Sequence, residues 1–170
     1  MTDTPVYNPQ EPAHLQENDW SCSQDAAEWA LWAYGRHPSD DWMEQSMIDV
    51  GVINPSVGLC DASGSGLANW LTTEYGEFGY VATHQNPVSF SDLAEEASTL
   101  QHPIMAGGRA WCHWTGIRGY DPANDLLLLA NPAPGYRGIY QTLSRDQFDQ
   151  LGPFSMVRLT HPEAEGDCTP

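Results

Sequence analysis

The hydrophobic period of this chain changes once, near residue 100, from a helical repeat to strand-like runs, and that switch restricts the fold more than any other feature. In the first half Cys22, Ala26, Trp29, Ala30 and Ala33 recur on one helical face, which Gly35 ends in the usual position beyond a C-cap. Met43, Met47 and Val50 are in phase over 41–50, Leu67, Trp70 and Leu71 over 67–75, and Leu93, Ala97 and Leu100 over 91–100. The second half offers strands at 104–107, 113–120, 126–130, 138–142 and 155–159. One short helix interrupts them: Ser144 and Gln147 read as a capping box, Leu143 and Phe148 as its hydrophobic staple, and Gly152-Pro153 as the stop. Helices first and strands afterwards predict an α+β fold, a helical half packed on an antiparallel sheet with a cleft between them.

At 170 residues the chain suits one domain, which we place at 14–160 between polar, proline-containing tails at 1–13 and 161–170. Six Lys+Arg stand against 23 Asp+Glu, a formal net charge of -17, and all six cations are arginine. The absence of lysine removes Walker, Schiff-base and lysine-base chemistry. The negative field disfavours nucleic acid, nucleotides and anionic lipid, and favours neutral or cationic peptide-like ligands. No apolar run approaches the roughly 18 residues of a membrane span, and the start lacks the features of a signal peptide, so a soluble chain is expected. Cysteines at 22, 60, 112 and 168 show no CxxC spacing, which speaks against a zinc ribbon or a disulfide framework and favours a reduced, cytoplasmic setting. No metal or cofactor is expected: the other histidines lack ligand spacing, and the Ser63–Gly66 run lacks a phosphate-loop lysine.

The runs 113–120 and 126–130 flank a strong turn, Asp121-Pro-Ala-Asn-Asp125. Pairing them antiparallel sets His113 opposite residues 131 to 133, with Asn131 directly across or one residue away. An amide holding the imidazole would fix its tautomer, and Trp111 and Trp114 would shield the pair from water. Taken alone, this hairpin suits a structural histidine at a strand end at least as well. Cys22 opens the clearest helix, where free N–H groups and partial positive charge favour a thiolate. Alone it also fits the apolar stripe as a small core residue. With His113 and Asn131 it completes a nucleophile, base and orienter, and Gln16 upstream supplies a second oxyanion donor beside the Cys22 N–H. Cys112 adjoins His113 on one strand, so it should face the other way, into the core. Cys60 lies in a loop with no base nearby.

The order Gln16-x5-Cys22, Gly64–Leu67, Pro103-Ile104, His113-Trp114, Gly119-Tyr120-Asp121 and Asn131-Pro132-Ala133 resembles the C39-like, bacteriocin-processing branch of the papain-like cysteine peptidases, over about residues 14–160. The resemblance implies a papain-like fold in a bacterial cysteine hydrolase that cleaves an amide bond of a peptide or peptide-like substrate. It implies Cys22 as nucleophile, His113 as general base, Asn131 orienting the imidazole and Gln16 as oxyanion donor. Ser23 stands where the family usually has Gly, a change that could alter access to the cleft. Asn131 stands where Asp is more common, although papain itself uses Asn. A member without turnover would serve as a binding module of a larger protein.

Overall fold

Helix α1 (Cys22–Trp32) is buried on every side, from Cys22 to Leu31, although the sequence marks only one apolar face. The computed structural model describes residues 5–13, 18, 20–132 and 141–162 and accounts for the extra burial. One side of α1 rests on strands β4 (Ile104–Gly108) and β5 (His113–Asp121), and α2 (Asp40–Asp49) packs alongside. Residues 5–13, read from the sequence as a polar tail, also lie against it. The Asn8 N–H donates to Ala33 O at 2.7 Å, Trp29 Nε1 donates to Glu11 O at 2.9 Å, and the Tyr7 and Tyr34 rings sit 5.9 Å apart.

The main sheet has six antiparallel strands in the order β3-β8-β4-β5-β6-β7, adding β3 (Val81–Val88), β6 (Leu126–Ala130), β7 (Thr142–Ser144) and β8 (Phe154–Thr160). Its central strands are apolar on both faces because both are covered. Met105, Trp114 and Val157 join α1, α2 and α3 (Ser65–Tyr75) in one core cluster. Their neighbours Ile104, Ala106 and Met156 join α4 (Phe90–Thr99) and α5 (Arg145–Leu151) in a second. Alternate side chains of one strand thus enter opposite layers, as the strand period requires. The α+β expectation holds, with helices on both faces of the sheet rather than one.

Two tryptophans set the distance between helices and sheet. A Cβ added at Gly116 would lie 2.3 Å from the Trp29 ring, and one at Gly107 would lie 2.3 Å from the Trp114 ring. Only glycine lets these indoles lie flat on the strands.

All five expected helices form, within two residues of their anticipated ends. The small hairpin of β1 (Ile53–Asn54) and β2 (Gly58–Leu59) and the edge strand β3 were not expected. Of the strand expected at 138–142, residues 138–140 lie outside the described residues, and the structure places β7 at Thr142–Ser144. His161, just past β8, is buried, and its Nε2–H donates to Phe78 O at 2.9 Å. No helix among the described residues is long and apolar enough to cross a membrane.

Candidate active site

Cys22 is the first residue of α1 and is 8% exposed. Ser21 precedes it but gives the first-turn amides no side-chain cap. Its hydroxyl instead lies 2.8 Å from Asp25 Oδ2 and 3.2 Å from Asn18 O. The positive end of the helix therefore falls on the thiol without a competing hydroxyl from Ser21. Cys22 opens onto a cleft of about 370 Å³ whose walls include Trp20, Leu59, Gly107, His113 and Trp114.

His113 is the first residue of β5 and is buried. Its Nε2 lies 2.8 Å from Asn131 Oδ1, and Asn131 is buried too. The two meet by a slightly different route from the one expected. The ladder pairs Asp121 with Leu126 at the turn, and an irregularity between Ile117 and Gly119 shifts it so that Gly116 pairs with Ala130. Continuing that register sets Thr115 beside Asn131, and His113 becomes a diagonal neighbour, two residues along on the same face. The Thr115 hydroxyl donates to Ala130 O at 3.1 Å, holding the chain in place just before Asn131. Diagonal neighbours on one face are still within reach of long side chains, so the contact survives the shift.

The Trp111 ring packs edge-on against His113, with centroids 4.8 Å apart. Trp114 does something else: it lies over Gly107 in the α1 layer and lines the cleft. Of the two tryptophans expected to shield the imidazole, Trp111 is the one in ring contact with it.

Cys112 is a correction. It is exposed and lines the same cleft as Cys22, so it is not a core residue. The strand begins one residue later, and Cys112 belongs to the turn before it, with a left-handed backbone (φ 52°) and its N–H donating to Gly108 O at 2.8 Å. Strand alternation does not govern a residue outside the strand. Ser23 is fully buried and is not part of the cleft wall, so it does not narrow access to Cys22. Gln16 lies outside the described residues.

The glycine- and serine-rich loop before α3 forms a shoulder of the cleft. Asp61 accepts from the Ser63 N–H (2.9 Å), the Ser63 hydroxyl (2.8 Å) and the Ser65 hydroxyl. These donors, the Ser65 and Ser63 hydroxyls foremost, pull its carboxyl down to about 2. An internal carboxylate thus occupies the start of α3. Gly64, at φ 81°, brings the loop so close to Val157 and Trp114 that a Cβ would lie 2.8 and 2.9 Å from them. Among the described residues, Asp25, Glu28 and Asp40 bring carboxylate oxygens within 4.8 Å of one another, in the spacing of a cation site. None of the three lines the cleft.

No family model matches the chain, and no curated protein does. Solved structures do match. A double glycine motif protease from an AMS/PCAT transporter, in complex with its leader peptide, superposes with a TM-score of 0.60 over 92% of this chain and 98% of that one, at 16% identity. The peptidase domain of Streptococcus ComA, a bifunctional ABC transporter of a quorum-sensing pathway, gives 0.61 over 88% and 98%, at 13% identity. A chain described as a C39-like peptidase from Bacillus anthracis gives 0.62 over 94% and 99%, at 12% identity. The chain has the C39 peptidase fold. At these identities the likeness is one of architecture, and the C39-type framework of helix, sheet and cleft extends over nearly the whole chain.

Cleft residues that the sequence did not single out include Trp20, Leu59, Gly107 and Arg109. Gly107 carried a signal of sorts, since a glycine inside an apolar strand run marks a close approach. Arg109 carried none, because the turn that aims it depends on contacts with residues 151–153.

Proposed function

We propose that this chain is a cysteine-dependent hydrolase that cleaves an amide bond of a peptide or peptide-like substrate. The observation that carries the reading is that Cys22, at the start of α1, and His113, held by Asn131, line one cleft. The C39 fold supports it, and so does the neighbour bound to a leader peptide, which makes a peptide the natural occupant of a cleft so placed.

Asn131 Oδ1 accepts from His113 Nε2–H, which leaves Nδ1 as the nitrogen that exchanges a proton with the thiol. Nδ1 takes the Cys22 proton, and the thiolate attacks the carbonyl carbon. The tetrahedral oxyanion is met by the Cys22 N–H and the Gln16 side-chain amide, donors of a kind worth roughly 10²–10³ in rate each. Nδ1–H then protonates the departing amine, leaving a thioester. Water, deprotonated by His113, releases the acid and restores the thiol. The acidic surface admits neutral or cationic peptides most readily.

The test is the pH dependence of iodoacetamide labelling of Cys22, read by mass spectrometry in wild type and His113→Ala. Rapid labelling well below pH 8, lost without His113, is the expected result. If Cys22 reacts as an ordinary thiol in both proteins, the hydrolase reading falls and the chain is a binding module on this scaffold.

A further inference from the structure

We propose that Arg109 is a specificity determinant of the cleft, holding a carboxylate of the bound peptide to one side of the scissile amide. The inference rests on the hydrolase reading above and adds to it a feature of the substrate.

Cations are scarce here, and among the described residues three of the other arginines are engaged and a fourth is drawn half into the protein. Arg145 pairs with Asp125 at 3.2 Å, Arg158 donates to Glu96 at 2.6 Å, Arg36 lies 4.8 Å from the Phe78 ring centre, and Arg118 is half-buried beside Tyr7. Arg137 lies outside the described residues. Arg109 is exposed and forms no ion pair among the described residues.

Its position is specific. Beside the cleft of about 370 Å³ that holds Cys22 and His113 lies a second trough of about 530 Å³ reaching Asn86 and Ser155. Ala62 and Arg109 line both, so Arg109 stands at their junction, beside any chain laid from one to the other. Its backbone is fixed there: the Arg109 N–H donates to Pro153 O at 2.9 Å, and the Ala110 and Trp111 N–H groups both donate to Leu151 O at 3.1 Å. Among the described residues, the other formally charged one lining these two cavities is Asp61, whose oxygens are occupied by Ser63 and Ser65. Among the described residues of the trough, Arg109 is the charge left to recognise a ligand. Its planar fork matches a carboxylate in two parallel hydrogen bonds.

The overall charge of -17 does not oppose this. At physiological salt the field of exposed charges is largely screened beyond roughly 8 Å, so it governs which peptides approach, while Arg109 governs how one is held. The substrate class is a peptide that is neutral or cationic overall and carries one Asp, Glu or terminal carboxylate within a few residues of the cleaved bond.

Two haloacetates test the site without a known substrate. Iodoacetate and iodoacetamide both alkylate a thiolate, forming the C–S bond as iodide leaves, and differ in carrying a carboxylate or a neutral amide. The ratio of their rates at Cys22 cancels any change in thiolate fraction. It should fall roughly threefold in Arg109→Gln, the Boltzmann factor for one charge pair about 7 Å apart in water. It should fall further in Arg109→Glu, and the difference should shrink in high salt. An equal ratio in all three proteins overturns the proposal. If Cys22 reacts as an ordinary thiol with both reagents, the hydrolase reading fails instead. The ratio at Cys112, in the same cleft beside Arg109, then decides whether Arg109 holds a carboxylate. On a mixed peptide library, wild type should favour cleavage sites with an acidic residue at one fixed position, and Arg109→Glu should favour a basic residue there; identical profiles count against the proposal.

Discussion

Asn131 meets its neighbour His113 through one nitrogen of the ring. Its Oδ1 lies 2.8 Å from His113 Nε2, and both residues are buried, so little water is at hand to replace the bond. A hydrogen bond to a ring that becomes charged is worth about 1.5–3 kcal/mol, so Asn131→Ala should slow Cys22 alkylation near neutral pH roughly 10- to 150-fold. Asn131→Asp keeps the acceptor and adds a negative charge that favours the imidazolium. Its pH–rate profile should retain the fast thiolate at acidic pH; a profile like that of Asn131→Ala would show that Asn131 merely fills space. The residues of this pair were legible in the sequence because a turn and two strand runs bracket them. Their exact offset was not, because the irregularity around Arg118 has no signature in residue type. Cys112 misled for a related reason: adjacency to His113 implies the opposite face only if both residues are in the strand.

Among the elements, those with chemistry of their own at the ends could be read from sequence. In α5 the Ser144 N–H donates to Gln147 Oε1 at 2.9 Å and the Gln147 N–H donates to Ser144 Oγ at 3.3 Å, the reciprocal pair that the residues announce. Helix α4 has the same device with Asp92 in place of Glu or Gln, and it begins one residue earlier than its apolar phase indicates. Strand β3 could not be read: Val81, Thr83, His84, Asn86 and Pro87 are all exposed, and Val88 is the strand's one fully buried residue, so burial imprints no alternation on it. Packing between elements yields two tests. Gly116→Ala forces a methyl into the fully buried Trp29 ring and should cost about 1–3 kcal/mol in urea unfolding. Gly66→Ala, in helix α3 with nothing within 4 Å of the new methyl, should stabilise by about 0.5–1 kcal/mol. Glu96 ties α4 to β8 through Arg158 and also meets His102 at 3.0 Å. Burial pushes its carboxyl up, but hydrogen bonds from Arg158 and His102, with their charges, outweigh burial and leave it below the ordinary carboxylate range. A carboxyl depressed on folding contributes stability above its unfolded pKa of about 4.3 and loses it as pH falls through the folded value. Glu96→Gln should therefore lower the stability measured by urea unfolding at pH 7, by about 1 kcal/mol after screening, and approach the wild-type stability in strong acid. An equal deficit at both extremes would mean that shape, not charge, holds this corner.

For the molecule as a whole, the excess of 17 negative charges is a load on the folded state, since folding crowds like charges together. Raising NaCl from about 10 mM to about 500 mM shortens the screening length from roughly 30 Å to a few ångströms and should raise the thermal midpoint. A midpoint indifferent to salt would place the acidic residues where they already offset one another. The strand order carries a consequence of another kind, for the newborn chain. β8 is the last of the described strands to be made, yet it sits inside the sheet, paired with β3 on one side and β4 on the other. Until residues 154–160 leave the ribosome, β3 has no partner, and β4, which bears Gly107 beside the cleft, has only one. A nascent chain can therefore display Cys22 and His113 long before the sheet that holds them in register is complete, and that sheet closes only once residues 154–160 have joined it.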